Sequence, residues 1–166
     1  MNELQRLTTE YVEKEDRIRI SGELASSETI VLWISQRLLN RLLPHLFLWL
    51  EKQSSDKSFI EIKQHFAQEA AKADLASDSP VQTLALSQEW LIEAVDLTPS
   101  ANSICLNFRS ASGQNIPMTL QTIALRQWLT IIYSLWSIAE WSTDKWPAWA
   151  LPNKKDSEES SLSIYH

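Results

Sequence analysis

Two stretches of this chain, 18–50 and 104–136, repeat one hydrophobic pattern at a constant offset without a gap, and that repetition restricts the fold more than any other feature. In the first stretch Ile18 and Ile20 alternate with Arg17, Arg19 and Ser21, the period-two signature of a strand with one buried face. The small polar run Ala25-Ser26-Ser27-Glu28 reads as a turn, and Thr29 to Ile34 is a β-branched and aromatic run of strand length. Ser35 stands where a helix N-cap belongs. Leu38, Leu39, Leu42, Leu43, Leu46, Trp49 and Leu50 then recur at three and four residues, as a buried helical face requires.

The second stretch answers in register. Ile104 and Leu106 take the places of Ile18 and Ile20, and Ile116, Met118 and Leu120 those of Ile30, Leu32 and Ile34. Leu125, Trp128, Leu129, Ile132, Tyr133, Leu135 and Trp136 continue the match along the helix. Two amphipathic helices resemble each other easily, so the weight rests on the shared strand–turn–strand–helix order. Upstream of each copy a further strand is expected, over 7–13 and over 89–97, closed by Lys14-Glu15-Asp16 and by Thr98-Pro99-Ser100-Ala101.

Each half thereby becomes β-β-β-α. The expected architecture is a single α+β domain over 1–151, built from pseudo-repeats 7–52 and 89–141 and joined by a helical connector over 58–86. Its sheet is antiparallel, of about six strands, with the two long helices on one face. In the connector, 58–75 reads as a weakly amphipathic helix with Phe59, Ile62, Phe66 and Ala70 on one side, and 81–86 as a further short helix. Gly22 suggests a bulge, and Pro44 a kink or break in the first long helix. Residues 152–166, rich in Lys, Asp, Glu and Ser, read as a disordered polar tail.

Composition mainly excludes. With 44% apolar residues the chain can build an ordinary core. A net charge of −6 argues against a broad nucleic-acid surface, which needs clustered Lys and Arg. Two glycines, Gly22 and Gly113, cannot write a P-loop or a dinucleotide-binding fingerprint. The three histidines form no HExxH pair, and the one cysteine, Cys105, allows no intramolecular disulfide, so neither a metal site nor a cofactor is expected. The N-terminal run has no apolar core of the kind a secretory signal needs, and the most apolar stretches, 38–50 and 128–139, fall short of a membrane span. A cytoplasmic, soluble protein without a membrane segment is expected.

Three places stand out as candidate contacts. Arg37, Arg41 and His45 fall at i, i+4 and i+8 and line one face of the first long helix, where the second copy has Ile123, Gln127 and Ile131. They would suit a small anion or an acidic partner; the plainer reading is the solvated side of an amphipathic helix. The stripe Thr122, Arg126, Thr130, Ser134 and Ser137 either faces water or lets another helix approach across a dimer axis, beside an apolar surface that includes Trp128. Trp141, Trp146 and Trp149, around Pro147, would anchor a partner or fold back over their own core. Arg126, Trp128, Trp141, Trp146 and Trp149 are thus the candidates for a partner or dimer contact.

Carboxylates are scattered, and no residue is nominated as catalytic. The leading expectation is a non-catalytic protein-interaction or assembly module, homodimeric, with a protein partner. Its rivals are a small-ligand or anion-binding protein or enzyme with a pocket between sheet and helices, and a nucleic-acid-associated protein.

Overall fold

The computed structural model describes residues 3–54, 58–76, 79–84 and 86–152. The polar tail expected over 152–166 lies, but for Pro152, outside the described residues. Alternation becomes strand where it was read: β1 (Leu4–Val12), β2 (Arg17–Leu24) and β3 (Thr29–Ser35) run in sequence, followed by helices α1 (Gln36–Lys52) and α2 (Ile60–Ala73). Strands β4 (Gln88–Pro99), β5 (Ser103–Ser110) and β6 (Asn115–Gln121) come next, then α3 (Thr122–Ile138) and a short 3-10 turn at Ala148–Ala150.

All six strands share one sheet in chain order, an α+β arrangement with a mixed sheet. Four of the five pairings are antiparallel meanders. The fifth corrects the all-antiparallel expectation: Ile30–Trp33 of β3 runs parallel to Gln88–Leu91 of β4. A hairpin forces opposite directions, but here α1, α2 and the following segment carry the chain back across the sheet, and such a crossover delivers a parallel neighbour.

Helix α1 packs over β3 and β4, and α3 over β1 and β6. Their buried faces share one core with inward side chains of every strand, among them Leu4, Ile20, Leu32, Ile92, Leu106 and Met118. The sheet curls until its edge strands approach, where the backbone N–H of Thr119 donates to the Glu3 carboxylate at 2.9 Å. Pro117 lies in β6, and an edge strand is where a residue without an N–H is tolerated.

Three local expectations need correction. Helix α1 is unbroken through Pro44, because the ring sits on the exposed side and solvent can serve the carbonyl it leaves unbonded. The irregularity near Gly22 falls on the opposing strand, between Leu4 and Arg6, while Gly22 itself stays in register with Leu7 and Ile30. No helix forms among the described residues of 81–86. That segment is tied to the first three strands instead: the Val81 N–H donates to Thr8 Oγ1 at 2.8 Å and Arg19 Nη2 donates to Thr83 Oγ1 at 3.0 Å.

Helix α2 has an inverted burial pattern. Its inward residues are Gln64, Gln68 and Ala71, while Phe59, Ile62 and Phe66 face outward. The cause is Arg126 of α3, buried against it: Arg126 Nη2 donates to Gln64 Oε1 at 2.5 Å and Nη1 to Gln68 Oε1 at 3.3 Å. Gln68 Nε2 in turn donates to Arg126 O at 2.8 Å and to Thr130 Oγ1 at 3.0 Å, so α2 covers part of the small polar stripe of α3.

The first hairpin is pinned from two sides at its turn. Tyr11 Oη donates to Asp16 Oδ1 at 2.6 Å, and Trp141 Nε1 donates to the same oxygen at 3.0 Å. These bonds, that from Tyr11 foremost, hold the Asp16 carboxyl below its ordinary value, and the bond to Asp16 is the main cause that pushes the Tyr11 phenol up to about 12. For Asp16 the lowered value means stability present above pH 3.8 and lost as pH falls through the folded value; for Tyr11 the raised value means stability present below pH 10 and lost as pH rises toward 12. Asp16→Asn should therefore lower the thermal midpoint most near neutrality. The gap to the parent chain should narrow at both extremes, read by circular dichroism across pH; a gap independent of pH would contradict the pairing.

Candidate functional site

Ser35 closes β3 and starts α1, its Oγ accepting from the Leu38 N–H at 3.2 Å. That cap fixes the helical phase, so the buried face runs Leu39, Leu42, Leu43 and Leu46 while Arg37, Arg41 and His45 emerge on the exposed side. Strand β3 ends at this point, but β4 continues. It is paired to β3 only as far as Leu91, and from Ile92 to Pro99 it bonds to β5 alone. Among the described residues the α1-facing edge of β4 beyond Leu91 therefore has no strand beside it. A register shift between Ile92 and Ala94 marks the place where it leaves β3.

Between α1 and this edge runs a groove in two continuous sections that share Leu38, Arg41 and Glu93. The section at the start of α1 encloses about 510 Å³ and is bounded by Arg17, Arg37 and Leu91; the section further along encloses about 240 Å³ and is bounded by Leu42, His45, Val95 and Leu97. Its floor is apolar and its rim cationic, with Glu93 the one acid in either section. Among the described residues Arg37 and Arg41 form no ion pair, and Arg17 lies 3.8 Å from Glu15. The one hydroxyl lining the groove, that of Ser35, is engaged in the helix cap. The groove offers guanidinium groups for carboxylates and a strand edge for a backbone, and no nucleophile set against a base.

At the contact of α3 with β1 the space is filled. Trp128 is buried there, its Nε1 donating to Thr9 Oγ1 at 3.1 Å. Where α1 carries Arg37, Arg41 and His45, α3 carries an exposed Ile123, a Gln127 that donates to Ala71 O, and a half-buried Ile131.

The structure thus brings Arg37, Arg41 and His45 together along one groove and adds Arg17, which sequence reasoning did not single out. The other sequence candidates lie inside the fold. Arg126 is 5% exposed, stacked 5.6 Å from the Trp149 ring, and burial pushes its guanidinium down to about 10. Trp141 meets Trp136 edge-on at 4.9 Å, Trp146 meets Phe47 at 5.0 Å, and Trp149 Nε1 donates to Glu51 Oε1 at 2.9 Å. A partner contact through Arg126, Trp128, Trp141, Trp146 or Trp149 would require them to leave the core they build. The open wall of β4 was missed as well; the unequal lengths of the third and fourth strands were the available signal.

A second groove of about 420 Å³ lies at the other end of β3 and β4, lined by Leu24, Leu84, Leu86, Trp90 and Ile116, with Glu28 the one charged side chain among its described residues. Thr29, Ser87, Gln88 and Asn115 also line it, and the Thr29 and Ser87 hydroxyls hydrogen-bond to each other at 2.5 Å. Among the described residues no helix is long and apolar enough to cross a membrane, and no three His, Cys, Asp or Glu side chains converge. Comparison with protein-family models, with curated proteins and with solved structures gives no match.

Proposed function

We propose that the protein is a non-catalytic interaction module that receives an extended acidic segment of another protein in the groove between α1 and β4. The observation that carries this reading is the strand edge of β4 from Ile92 to Pro99, which among the described residues has no strand on its α1 side and lies beneath a row of cationic side chains. An added strand gains main-chain hydrogen bonds along such an edge, and alternate side chains reach the apolar floor. Arg37, Arg41 and His45 select for acid. A small anion alone would meet only hydrated, exposed guanidinium groups, which are worth little, so the extended segment is favoured over the small-ligand reading. A net charge of −6 weighs against nucleic acid.

The reading also treats the chain as two β-β-β-α units of common origin, supported by that order occurring twice along the chain. It keeps the cytoplasmic setting, supported by a lone Cys105 that has no disulfide partner in its own chain. It makes the chain a homodimer through a surface other than the groove.

The test is fluorescence anisotropy with a labelled peptide alternating Glu and Val. Saturable binding is expected, weakened roughly thirtyfold by Arg37→Glu with Arg41→Glu. Methylating alternate peptide nitrogens on one edge should abolish it, because that edge could no longer pair with β4. Absence of binding, or binding indifferent to both changes, would refute the reading.

A further inference from the structure

We infer that the segment 153–166, outside the described residues, is the resident occupant of the groove, a strand laid on β4 of its own chain that a guest must displace. This rests on the reading of the groove as a place where an extended acidic segment adds to β4. The segment begins within reach of it. Trp149 Nε1 donates to Glu51 Oε1 at 2.9 Å and Leu151 is half-buried, so the chain leaves the fold beside the last turn of α1. From Glu51, His45 stands about 9 Å back along the helix and Arg37 about 21 Å. Passing over α1 adds roughly its width of 10–12 Å. Fully extended, residues 153–166 reach about 46 Å, enough for both.

Direction and pattern fit as well. One section of the groove sets Leu91 beside Arg37 and the other sets Leu97 beside His45, so β4 advances toward the end of α1. A segment entering from that end runs the opposite way, and an antiparallel neighbour exchanges perpendicular hydrogen bonds with the edge. Lys154 and Lys155 come first, where the segment is still passing over the helix. The acids Asp156, Glu158 and Glu159 follow and meet His45 and Arg41, and Leu162 and Ile164 then reach the floor formed by Leu38, Leu91 and Ile92. Leu162 and Ile164 alternate with Ser161, Ser163 and Tyr165, the pattern of a strand with one apolar side. Tethering supplies the affinity that so short a segment lacks. A short linker holds it at an effective concentration in the millimolar range, and a guest binds more weakly in proportion to the time the groove is filled.

The test uses the full chain and has two readouts, with circular dichroism confirming that each variant folds. Hydrogen exchange without any peptide reads the resident strand directly. The N–H groups of β4 between Ile92 and Thr98 that do not bond to β5 should exchange roughly fivefold faster in Leu162→Ser with Ile164→Ser, a change that leaves the net charge untouched. In the parent chain their rate should not alter on tenfold dilution. The labelled Glu and Val peptide should bind that variant roughly fivefold more tightly than the parent chain, and so should Asp156→Asn with Glu158→Gln and Glu159→Gln. Peptide bound by none of the chains would overturn the proposed function itself. Peptide bound equally by all of them, with exchange along β4 unmoved, would overturn the resident strand alone. Protection that fades on dilution would overturn it too, since the segment would then lie on another copy.

Discussion

Trp136→Ala is expected to lower the unfolding free energy by about 4 kcal/mol, the largest single-residue effect in the molecule. Trp136 is fully buried and lies between two rings of the segment that follows α3, Trp141 at 4.9 Å and Trp146 at 5.7 Å, both approached edge-on. Truncation would remove the transfer free energy of an indole, leave a cavity that several large rings cannot easily collapse into, and forfeit the edge-to-face contacts. It would also orphan the Ser142 carbonyl, which accepts from Trp136 Nε1 at 2.8 Å. Trp136→Phe keeps most of the packing and should cost roughly 1–2 kcal/mol, chiefly through that hydrogen bond and the lost volume. Urea unfolding followed by circular dichroism separates the two. A cost below about 1 kcal/mol for the alanine variant would mean that the residues after α3 are not part of the core.

Gln64→Leu should cost about 3 kcal/mol, although it replaces a polar buried residue with an apolar one of similar size. The reason is the guanidinium it faces. Arg126 has no carboxylate against it among the described residues, and Gln64 Oε1 is its shortest hydrogen bond, at 2.5 Å. Burial disfavours the charged form, which is why the group is pushed down to about 10, yet at neutral pH it stays protonated and needs its acceptors. Leucine would leave a buried cation with Gln68 alone, and would also release the Leu50 carbonyl that Gln64 Nε2 now serves at 3.1 Å. Gln64→Glu should cost less than the leucine change. A carboxylate in that position also releases the Leu50 carbonyl, but it supplies the missing counter-charge, so at pH 7 it should be the more stable of the two variants. Its folded pKa would be depressed by Arg126, so that advantage should be lost as pH falls through the carboxylate range. Equal losses for both variants would show that shape, not charge, decides the site.

Much of the fold is legible in the sequence because its causes are local. The alternation of Ile18 and Ile20, the run Thr29 to Ile34 and the leucines after Ser35 each state which face is buried, and β2, β3 and α1 follow directly. The direction of β4 is not local. It depends on the path taken by the whole connection, and so the parallel pairing with β3 could not be read from either strand. Helix α2 shows the limit of periodicity in another way: its apolar residues do lie on one side, but that side faces outward, because a single arginine on another helix competes for the inner one. The candidate site divides along the same line. Arg37, Arg41 and His45 share a helical face by spacing alone, whereas the opposite wall exists only because β3 ends at Ser35 while β4 runs on to Pro99.

The open edge of β4 has a consequence for the behaviour of the protein in concentrated solution. An unpaired strand edge is a template for runaway self-addition, and proteins that keep one usually guard it. The other approaches are already protected: β1 and β6 curl toward each other under α3, and β6 carries a proline that cannot donate. At β4 the guard is the charge row. Two copies joined edge to edge at β4 would bring Arg37 and Arg41 of one chain close to the same residues of the other, and like charges at that range repel the encounter. The feature that invites an acidic guest therefore also turns away the protein's own kind, keeping a sticky edge available without letting it polymerise.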